Sequence, residues 1–336
     1  MSASSVEESR ALFADDGSDR SALYEFTVND ARQAGSGAGL RFLPFLGRDG
    51  LIVEGWSHLF ASWWRLGKTE TIARVVVPWL RLGLSIVWFS EEPASIWADR
   101  GDELDFVYGS GIPWERLRIV YAVGADPRAM LERAATGDET VVIADTLRHS
   151  CGIGDENAAG DVRRAVGPWV GTMARKGKTF VGLVHHRKAE SEQPGERVAG
   201  SHALPALFDI ALELRSDKEH PSRRLLTGRS RRFEILPLVI EKDDEARIFV
   251  VGAVGEVSAR DLGRRCVDAL GAAGEWLSTR EVRGALGPDA PSVDAVSRQL
   301  SRLARGGTIM RNPPVGEEAA GRRVSWCMPI SAPLPL

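Results

Sequence analysis

The stretch SHLFASWWRLGKTETIARVVV, residues 57–77, decides the interpretation of this chain. An apolar run leads into Gly67, Lys68 and Thr69, and an amphipathic stretch follows. This order predicts a strand, a phosphate-binding loop and a helix, because successive backbone N–H groups at a helix N-terminus hold phosphates. In such a loop the lysine reaches the β- and γ-phosphates and the hydroxyl binds Mg²⁺.

The loop departs from the full pattern GxxxxGK[ST] at its first position. The pattern expects glycine at position 62, where this chain has Ser62, followed by Trp63 and Trp64. The predicted nucleotide contacts are Ser62, Leu66, Gly67, Lys68, Thr69 and Glu70. The motif alone leaves two alternatives open, an ordinary lysine at a helix start and a degenerate loop that binds no nucleotide.

A carboxylate follows a second apolar run, TVVIADT at residues 140–146. Four apolar residues place Asp145 at the carboxyl end of a strand, where it is expected to hold the Mg²⁺ shell together with Thr69. The alternative is an aspartate that only ends the strand or caps the next helix. The pair of motifs is more specific than either motif alone.

Hydrolysis also requires a group that orients or deprotonates the attacking water. Glu91 and Glu92 follow the run SIVWFS, and we favour Glu91 for this role; the alternative for either carboxylate is a first-turn partner of the helix that starts at Pro93. His185 and His186 end the run TFVGLVHH, where one of them is expected to sense the γ-phosphate. Metal binding by this pair is disfavoured, because adjacent side chains of a strand point to opposite sides.

The composition is that of a folded protein of roughly two domains, at 336 residues with 43% hydrophobic residues. The 43 Lys+Arg against 46 Asp+Glu give a net charge of −3, which excludes polyanion binding through bulk charge. The three cysteines are scattered and form no CxxC pair, which predicts a reducing compartment. The N-terminus is acidic and the sequence has no long apolar run, which predicts a cytoplasmic location.

The pattern along the chain predicts three regions. Residues 1–44 form an acidic, adaptable arm, and residues 45–255 form an α/β core. Its early apolar runs are separated by helix-length stretches, as parallel strands require, and its last four follow closely, as antiparallel strands can. The fold class is therefore a mostly parallel sheet with an antiparallel extension, followed by a small domain over residues 260–330.

Residues 260–330 predict a winged-helix domain, with three helices and a terminal pair of short strands. Asp261 is expected to cap the first helix, Ser278 and Glu281 to form a capping box for the second, and Ser292 to cap the third. On the third helix an arginine face, opposite an apolar face, predicts contact with DNA or with a protein partner. Its members are Arg298, Arg302 and Arg305.

The segments LFASWWRLGKTE, WFSEEP, VVIADTLRHS, LVHHRK and AGSHALPALFDIALELR, in this order, resemble the RecA-like ATPases of the RepA and DnaB helicase group. The likeness covers roughly residues 45–252 and is strongest to the RepA type of plasmids and mobile elements. It implies an ATP- and Mg²⁺-dependent ATPase that assembles into a hexamer or another oligomer. It also implies that Glu91 is the catalytic base and that His185 or His186 is the sensor.

The resemblance further implies an arginine finger from a neighbouring subunit, which falls on Arg229 in a basic segment. A solvated hairpin face or a DNA-binding loop remain alternatives for that segment. Residues 187–200 occupy the position of a central-channel DNA loop, with Arg187 and Lys188 as candidate contacts, or they form a loop without a ligand. The function predicted is a DNA-coupled ATPase, a RepA-type helicase or loader; the alternative is a nucleotide-gated DNA-binding regulator with slow turnover.

Overall fold

The computed structural model describes residues 40–185, 203–217, 220–288, 290–312 and 324–329. Most of the predicted arm, together with His186, Arg187 and Lys188, lies outside these residues. The chain divides into two compact units between Val251 and Gly252. Across the described ranges, no helix combines the length and apolar character needed to cross a membrane.

The first unit contains eleven strands among its described residues. They are β1 (Phe42–Phe45), β2 (Arg48–Val53), β3 (Ser57–Ser62), β4 (Ile86–Ser90), β5 (Leu117–Tyr121), β6 (Val141–Asp145), β7 (Thr179–His185), β8 (Ile210–Ser216), β9 (Arg223–Ser230), β10 (Leu238–Lys242) and β11 (Ile248–Ala253). Six α-helices connect them in the same ranges. They are α1 (Lys68–Arg81), α2 (Ala94–Tyr108), α3 (Pro127–Thr136), α4 (Leu147–Cys151), α5 (Ala159–Arg175) and α6 (Ala203–Leu207).

Nine of these strands form one sheet, in the order β11-β10-β9-β8-β3-β7-β6-β4-β5, and β1 and β2 pair separately. From β8 to β5 all neighbouring strands run parallel, whereas β8, β9 and β10 pair antiparallel. The predicted α/β core, mostly parallel with an antiparallel extension, is confirmed. Because β3, β4, β6 and β7 run parallel, their carboxyl ends meet at one edge of the sheet.

The sheet has a hydrophobic layer on each face. On one face Trp88 and Leu183 share a layer with Trp79 of helix α1. On the other face Phe89 packs edge-on against Trp169 of helix α5, with ring centroids 5.4 Å apart. A sheet covered on both faces requires strands that are apolar throughout, so the few polar residues at strand ends stand out as candidates for function.

The second unit consists of three helices and a three-stranded sheet within its described residues. Its elements are α7 (Val254–Ala273), α8 (Thr279–Ala285), α9 (Val293–Arg305), β12 (Leu277–Ser278), β13 (Met310–Asn312) and β14 (Ser325–Cys327). The sheet order is β12-β14-β13, and both pairs are antiparallel. Helices and sheet enclose a small core that includes Cys266, Leu300 and Trp326.

Two predicted caps in this unit are confirmed and one is wrong. The Ser278 N–H donates to Glu281 Oε2 at 2.7 Å and the Glu281 N–H donates to Ser278 Oγ at 3.3 Å, which is the capping box. The Ala295 N–H donates to Ser292 Oγ at 3.3 Å. Asp261 is not the N-cap of helix α7, because the helix begins at Val254 and Asp261 lies inside it.

Candidate functional site

The loop between β3 and α1 is tightly turned at two positions. Gly67 has φ 83° and Arg65 has φ 62°, both in the left-handed region that favours glycine. Gly67 is the N-cap of helix α1, and its carbonyl accepts the Thr71 N–H at 2.8 Å. The helix N-terminus and its backbone N–H groups therefore follow directly on the turn, as a phosphate-binding loop requires.

Ser62 ends strand β3 and is fully buried. Its hydroxyl donates to the Trp63 carbonyl at 3.0 Å, so the serine satisfies its own polar atom within the loop. Leu66 closes the same turn through its N–H, which donates to that carbonyl at 3.3 Å. Trp64 is 67% exposed, with the Arg65 guanidinium 4.1 Å from its ring centroid. Trp64, which follows the serine at the first position of the motif, thus lies outside the buried base of the loop.

The side chains of Lys68, Thr69, Asp145 and His185 meet at the carboxyl edge of the sheet. Thr69 Oγ1 donates to Asp145 Oδ2 at 2.7 Å, and Lys68 Nζ lies 3.8 Å from Asp145 Oδ1. Lys68 Nζ also hydrogen-bonds His185 Nε2 at 3.1 Å. The sequence predicted each of these residues separately, and the structure brings all four into direct contact.

Burial raises the pKa of the Asp145 carboxyl above its ordinary value, although the Lys68 charge and the Thr69 hydrogen bond oppose this shift. The oxygens of Thr69 and Asp145 suit Mg²⁺, which takes hard ligands and completes its shell with phosphates and water. Within the described part of the chain, no cluster of three or more His, Cys, Asp or Glu residues offers a metal site of its own. The residues present therefore fit a cation that is bound together with a nucleotide.

Glu70 was predicted to contact nucleotide, and its carboxylate has protein partners instead. Lys242 Nζ donates to Glu70 Oε1 at 2.7 Å, and Arg74 NH2 lies 3.3 Å from the same oxygen. Arg74 is 1% exposed and donates to the Ala246 carbonyl and to Glu103. These contacts tie the first turns of helix α1 to the turn between β10 and β11. A nucleotide role for Glu70 stays a prediction.

The two glutamates after β4 have different partners. Glu91 Oε1 accepts the Thr146 N–H at 3.0 Å, the Thr146 hydroxyl, and His149 Nδ1 at 2.6 Å. Burial alone would raise the pKa of Glu91, but the hydrogen bonds from Thr146 and His149 outweigh it and lower the pKa. Glu92 forms a two-pronged pair with Arg100 instead.

Strand β4 ends in a network that holds the turn before helix α2. Ser90 Oγ accepts the Glu92 N–H at 3.0 Å and Trp97 Nε1 at 2.9 Å. The Arg100 guanidinium lies 4.8 Å from the centroid of the Trp97 ring. Sequence reasoning missed Thr146, His149 and Arg100. For Thr146 and His149 a signal was available, because both closely follow Asp145, the acid at the end of a strand, and so lie near the same sheet edge.

Arg229 does not belong to the cluster around Lys68. It is exposed on β9 and pairs in register with Ala211 of β8. Ala211 in turn pairs with Leu59 of β3, three residues before Ser62, at which β3 ends. A residue supplied to a neighbouring subunit is not required to reach the site of its own chain. Its role as an arginine finger stays a prediction.

In the second unit, the predicted arginine face of helix α9 is exposed. Arg298, Arg302 and Arg305 lie on the solvent side, while Val296 and Leu300 are buried. Arg302 donates to Gln299 Oε1 at 3.0 Å and Arg305 donates to the Ser301 carbonyl at 3.4 Å. These contacts are local to the helix, so the guanidinium groups remain at the surface.

Replacing Asp145 with Asn is expected to raise the melting temperature of the nucleotide-free protein at pH 7 by a few degrees. Because the pKa of Asp145 is raised in the folded state, the neutral carboxyl stabilises the fold at low pH, and this stabilisation is lost as the pH rises through the folded pKa. Thermal unfolding of wild type and Asp145→Asn between pH 4 and 8 measures this effect. The difference between their melting temperatures should shrink towards pH 4.

A matched control for Asp145 is Glu139, a second buried carboxylate. Its hydrogen bonds from Arg133 lower the pKa of Glu139, against the effect of burial. Glu139→Gln should therefore lower the melting temperature at pH 7. A wild type more stable than Asp145→Asn at pH 7 would contradict the expected sign.

Residues 45–191 match the family model described as an AAA domain, and the match contains Lys68, Glu91 and Asp145. Similar solved structures include the following two. The RadB recombinase has 15% identity and a TM-score of 0.48, covering 62% of this chain and 94% of its own. A KaiC-like protein from the hyperthermophilic archaeon Pyrococcus horikoshii OT3 has 17% identity and a TM-score of 0.48, covering 63% of this chain and 99% of its own. No curated protein sequence is significantly similar to this chain.

The family match, the sheet order and the Gly67 loop agree with the predicted α/β fold class with a RecA-like P-loop core.

Proposed function

We propose that the AAA-type ATPase domain of residues 45–191 hydrolyses ATP and that the chain couples this reaction to DNA. The observation that carries the proposal is the convergence of Lys68, Thr69, Asp145 and Glu91 at one edge of the sheet. Phosphoryl transfer to water requires a cation, a hydroxyl and carboxylates, and these four side chains supply them. The pKa of Glu91 is lowered, whereas that of Asp145 is raised.

In the reaction proposed, Lys68 and the loop N–H groups bind the phosphates of ATP. Mg²⁺ held by Thr69 and Asp145 would neutralise charge on the phosphate oxygens. Water attacks the γ-phosphorus, its proton passes to Glu91, and the bond from that phosphorus to the departing ADP oxygen breaks. His185 contacts Lys68 and is therefore suited to respond to an occupied γ-phosphate position.

The finer proposal is a RepA-type replicative helicase or loader of a mobile element, in which the second unit serves as a winged-helix DNA contact. The exposed arginine face of helix α9 and the order of the ATPase motifs support it. Self-association into a hexamer or another oligomer, with Arg229 completing a neighbour's site, belongs to the same proposal. The alternative is a nucleotide-gated DNA-binding regulator with slow turnover.

Steady-state ATP hydrolysis with and without single-stranded DNA, together with a strand-separation assay at the same salt concentration, distinguishes these functions. Turnover stimulated by DNA, with strand separation, is expected of the helicase. Slow turnover that ignores DNA would favour the regulator. A wild type that neither binds nor hydrolyses ATP would exclude both.

Replacing Arg298, Arg302 and Arg305 together with Ala is expected to weaken DNA binding and to reduce its salt dependence. DNA binding releases about one counterion for each phosphate contact. The loss of three contacts should therefore lower the slope of the logarithm of the binding constant against the logarithm of the salt concentration by about 2–3 in magnitude. Fluorescence anisotropy over a salt series measures both quantities.

Arg264→Ala provides the control for the arginine face. Arg264 is exposed in the same unit but on helix α7, so its loss changes the charge of the unit without changing the face of α9. If the slope is the same in the triple variant, in Arg264→Ala and in wild type, helix α9 contacts a protein partner and not DNA.

A further inference from the structure

We propose that His149 is a positioning residue, which holds the carboxylate of Glu91 in place for the attack of water. This inference rests on the proposed ATP hydrolysis and goes beyond it, because it assigns a role to a residue of helix α4 that lies outside the phosphate-binding motifs. It follows from the contacts of one oxygen atom.

Three donors converge on Glu91 Oε1. The Thr146 N–H donates at 3.0 Å, the Thr146 hydroxyl donates to the same atom, and His149 Nδ1 lies 2.6 Å away. A carboxylate only accepts hydrogen bonds, so His149 Nδ1 carries the proton in this contact. Among the residues that the structure describes, none donates a side-chain or backbone hydrogen bond to Oε2. One oxygen is therefore held by the protein and the other is available to a water molecule.

Glu91 is fixed at both of its ends by a single segment of chain. Its backbone N–H donates to the Asp145 carbonyl at 3.0 Å, at the end of strand β6. Its carboxylate is held by Thr146, which directly follows Asp145, and by His149, which lies in the first turn of helix α4. The base and the Mg²⁺ ligand thus share one support, so the distance between them is set by local geometry.

His149 contributes more to this support than its exposed position suggests. Its side chain is 43% exposed, and that of Glu91 is 31% exposed. The His149 ring adds a third donor to Oε1, beside the two donors of Thr146, and each contact restricts the rotation of the carboxylate. A freely rotating glutamate side chain loses conformational entropy each time it adopts the reactive orientation, and that loss raises the barrier.

The test compares His149→Ala and His149→Asn with wild type. Asn places an N–H donor close to the position of Nδ1, whereas Ala removes the donor. We expect kcat to fall about tenfold in His149→Ala with little change in the KM for ATP, because misplacing a reacting group costs rate and not ground-state binding. His149→Asn should recover kcat to within about threefold of wild type.

Arg148→Ala is the matched control, since Arg148 is exposed on the same helix turn and makes no hydrogen bond with its side chain in the described residues. It should behave as wild type. If wild type turns over ATP and His149→Ala keeps its kcat, the positioning role is wrong while the ATPase stands. Equal losses in His149→Ala and His149→Asn would also overturn it, because the donor would not matter. A wild type without turnover would overturn the ATPase and this inference together.

Discussion

Glu91→Gln is expected to lower ATP turnover at least about 100-fold while ATP binding remains within a fewfold of wild type. The amide cannot accept the proton of the attacking water, and a positioned general base contributes about 10²–10⁴-fold to such reactions. Lys68 and the N-terminus of helix α1, which we propose bind the phosphates, make no side-chain hydrogen bond with Glu91, so the substitution should leave ATP binding intact. Single-turnover hydrolysis and equilibrium binding of ATP, measured on the same preparation, separate the two effects.

Glu92→Gln is the control that the chain offers next to Glu91. Its carboxylate is engaged by Arg100, so its loss affects the turn before helix α2 and not the reacting atoms. We expect turnover within a fewfold of wild type. The assignment of the base would be reversed if Glu92→Gln were inactive and Glu91→Gln were active.

Lys68→Ala is expected to abolish detectable hydrolysis and to weaken ATP binding by more than about tenfold. The lysine is 8% exposed and its ammonium group is directed at the sheet edge, between His185 and Asp145. Removing it deletes the cation that would face the β- and γ-phosphates and leaves the buried Asp145 without its compensating charge. Calorimetric titration with ATP and Mg²⁺, beside a turnover assay, measures both losses.

Lys178→Ala controls for the general cost of losing a buried lysine. Lys178 is also 8% exposed, but its ammonium group donates to the carbonyls of Ala134 and Gly137, each at 2.7 Å. This variant should lose thermal stability and keep its affinity for ATP. Equal ATP affinities in Lys68→Ala and wild type would contradict a phosphate-binding role for the loop.

The sheet edge was predictable because it follows from strand direction. Short apolar runs separated by helix-length stretches imply parallel strands, and parallel strands bring their carboxyl ends together. Lys68, Asp145 and His185 follow such runs, and they lie in contact in the structure. The position of Glu91 near this edge follows from the same rule, but its contact with His149 does not, because it joins residues 58 positions apart through the rotamers of two side chains.

The start of helix α7 was not predictable from its caps. The stretch from Gly255 to Asp261 contains the weak helix formers Gly, Val, Ser and Asp and has little apolar periodicity. The helix nevertheless begins at Val254, where the Glu256 side chain accepts the Ala253 N–H at 3.3 Å and Val257 is buried. Tertiary burial of one turn outweighed the local propensity that favoured a later start.

The contacts of Arg74 connect helix α1 to the antiparallel extension of the sheet. Arg74 is 1% exposed and donates twice to the Ala246 carbonyl, and a hydrogen bond to a charged group contributes about 1.5–3 kcal/mol, so separating helix α1 from this carbonyl is unfavourable. Lys242 reinforces the link through Glu70, next to the loop itself. We therefore expect a displacement of the first turns of helix α1 to be accompanied by a displacement of the turn between β10 and β11.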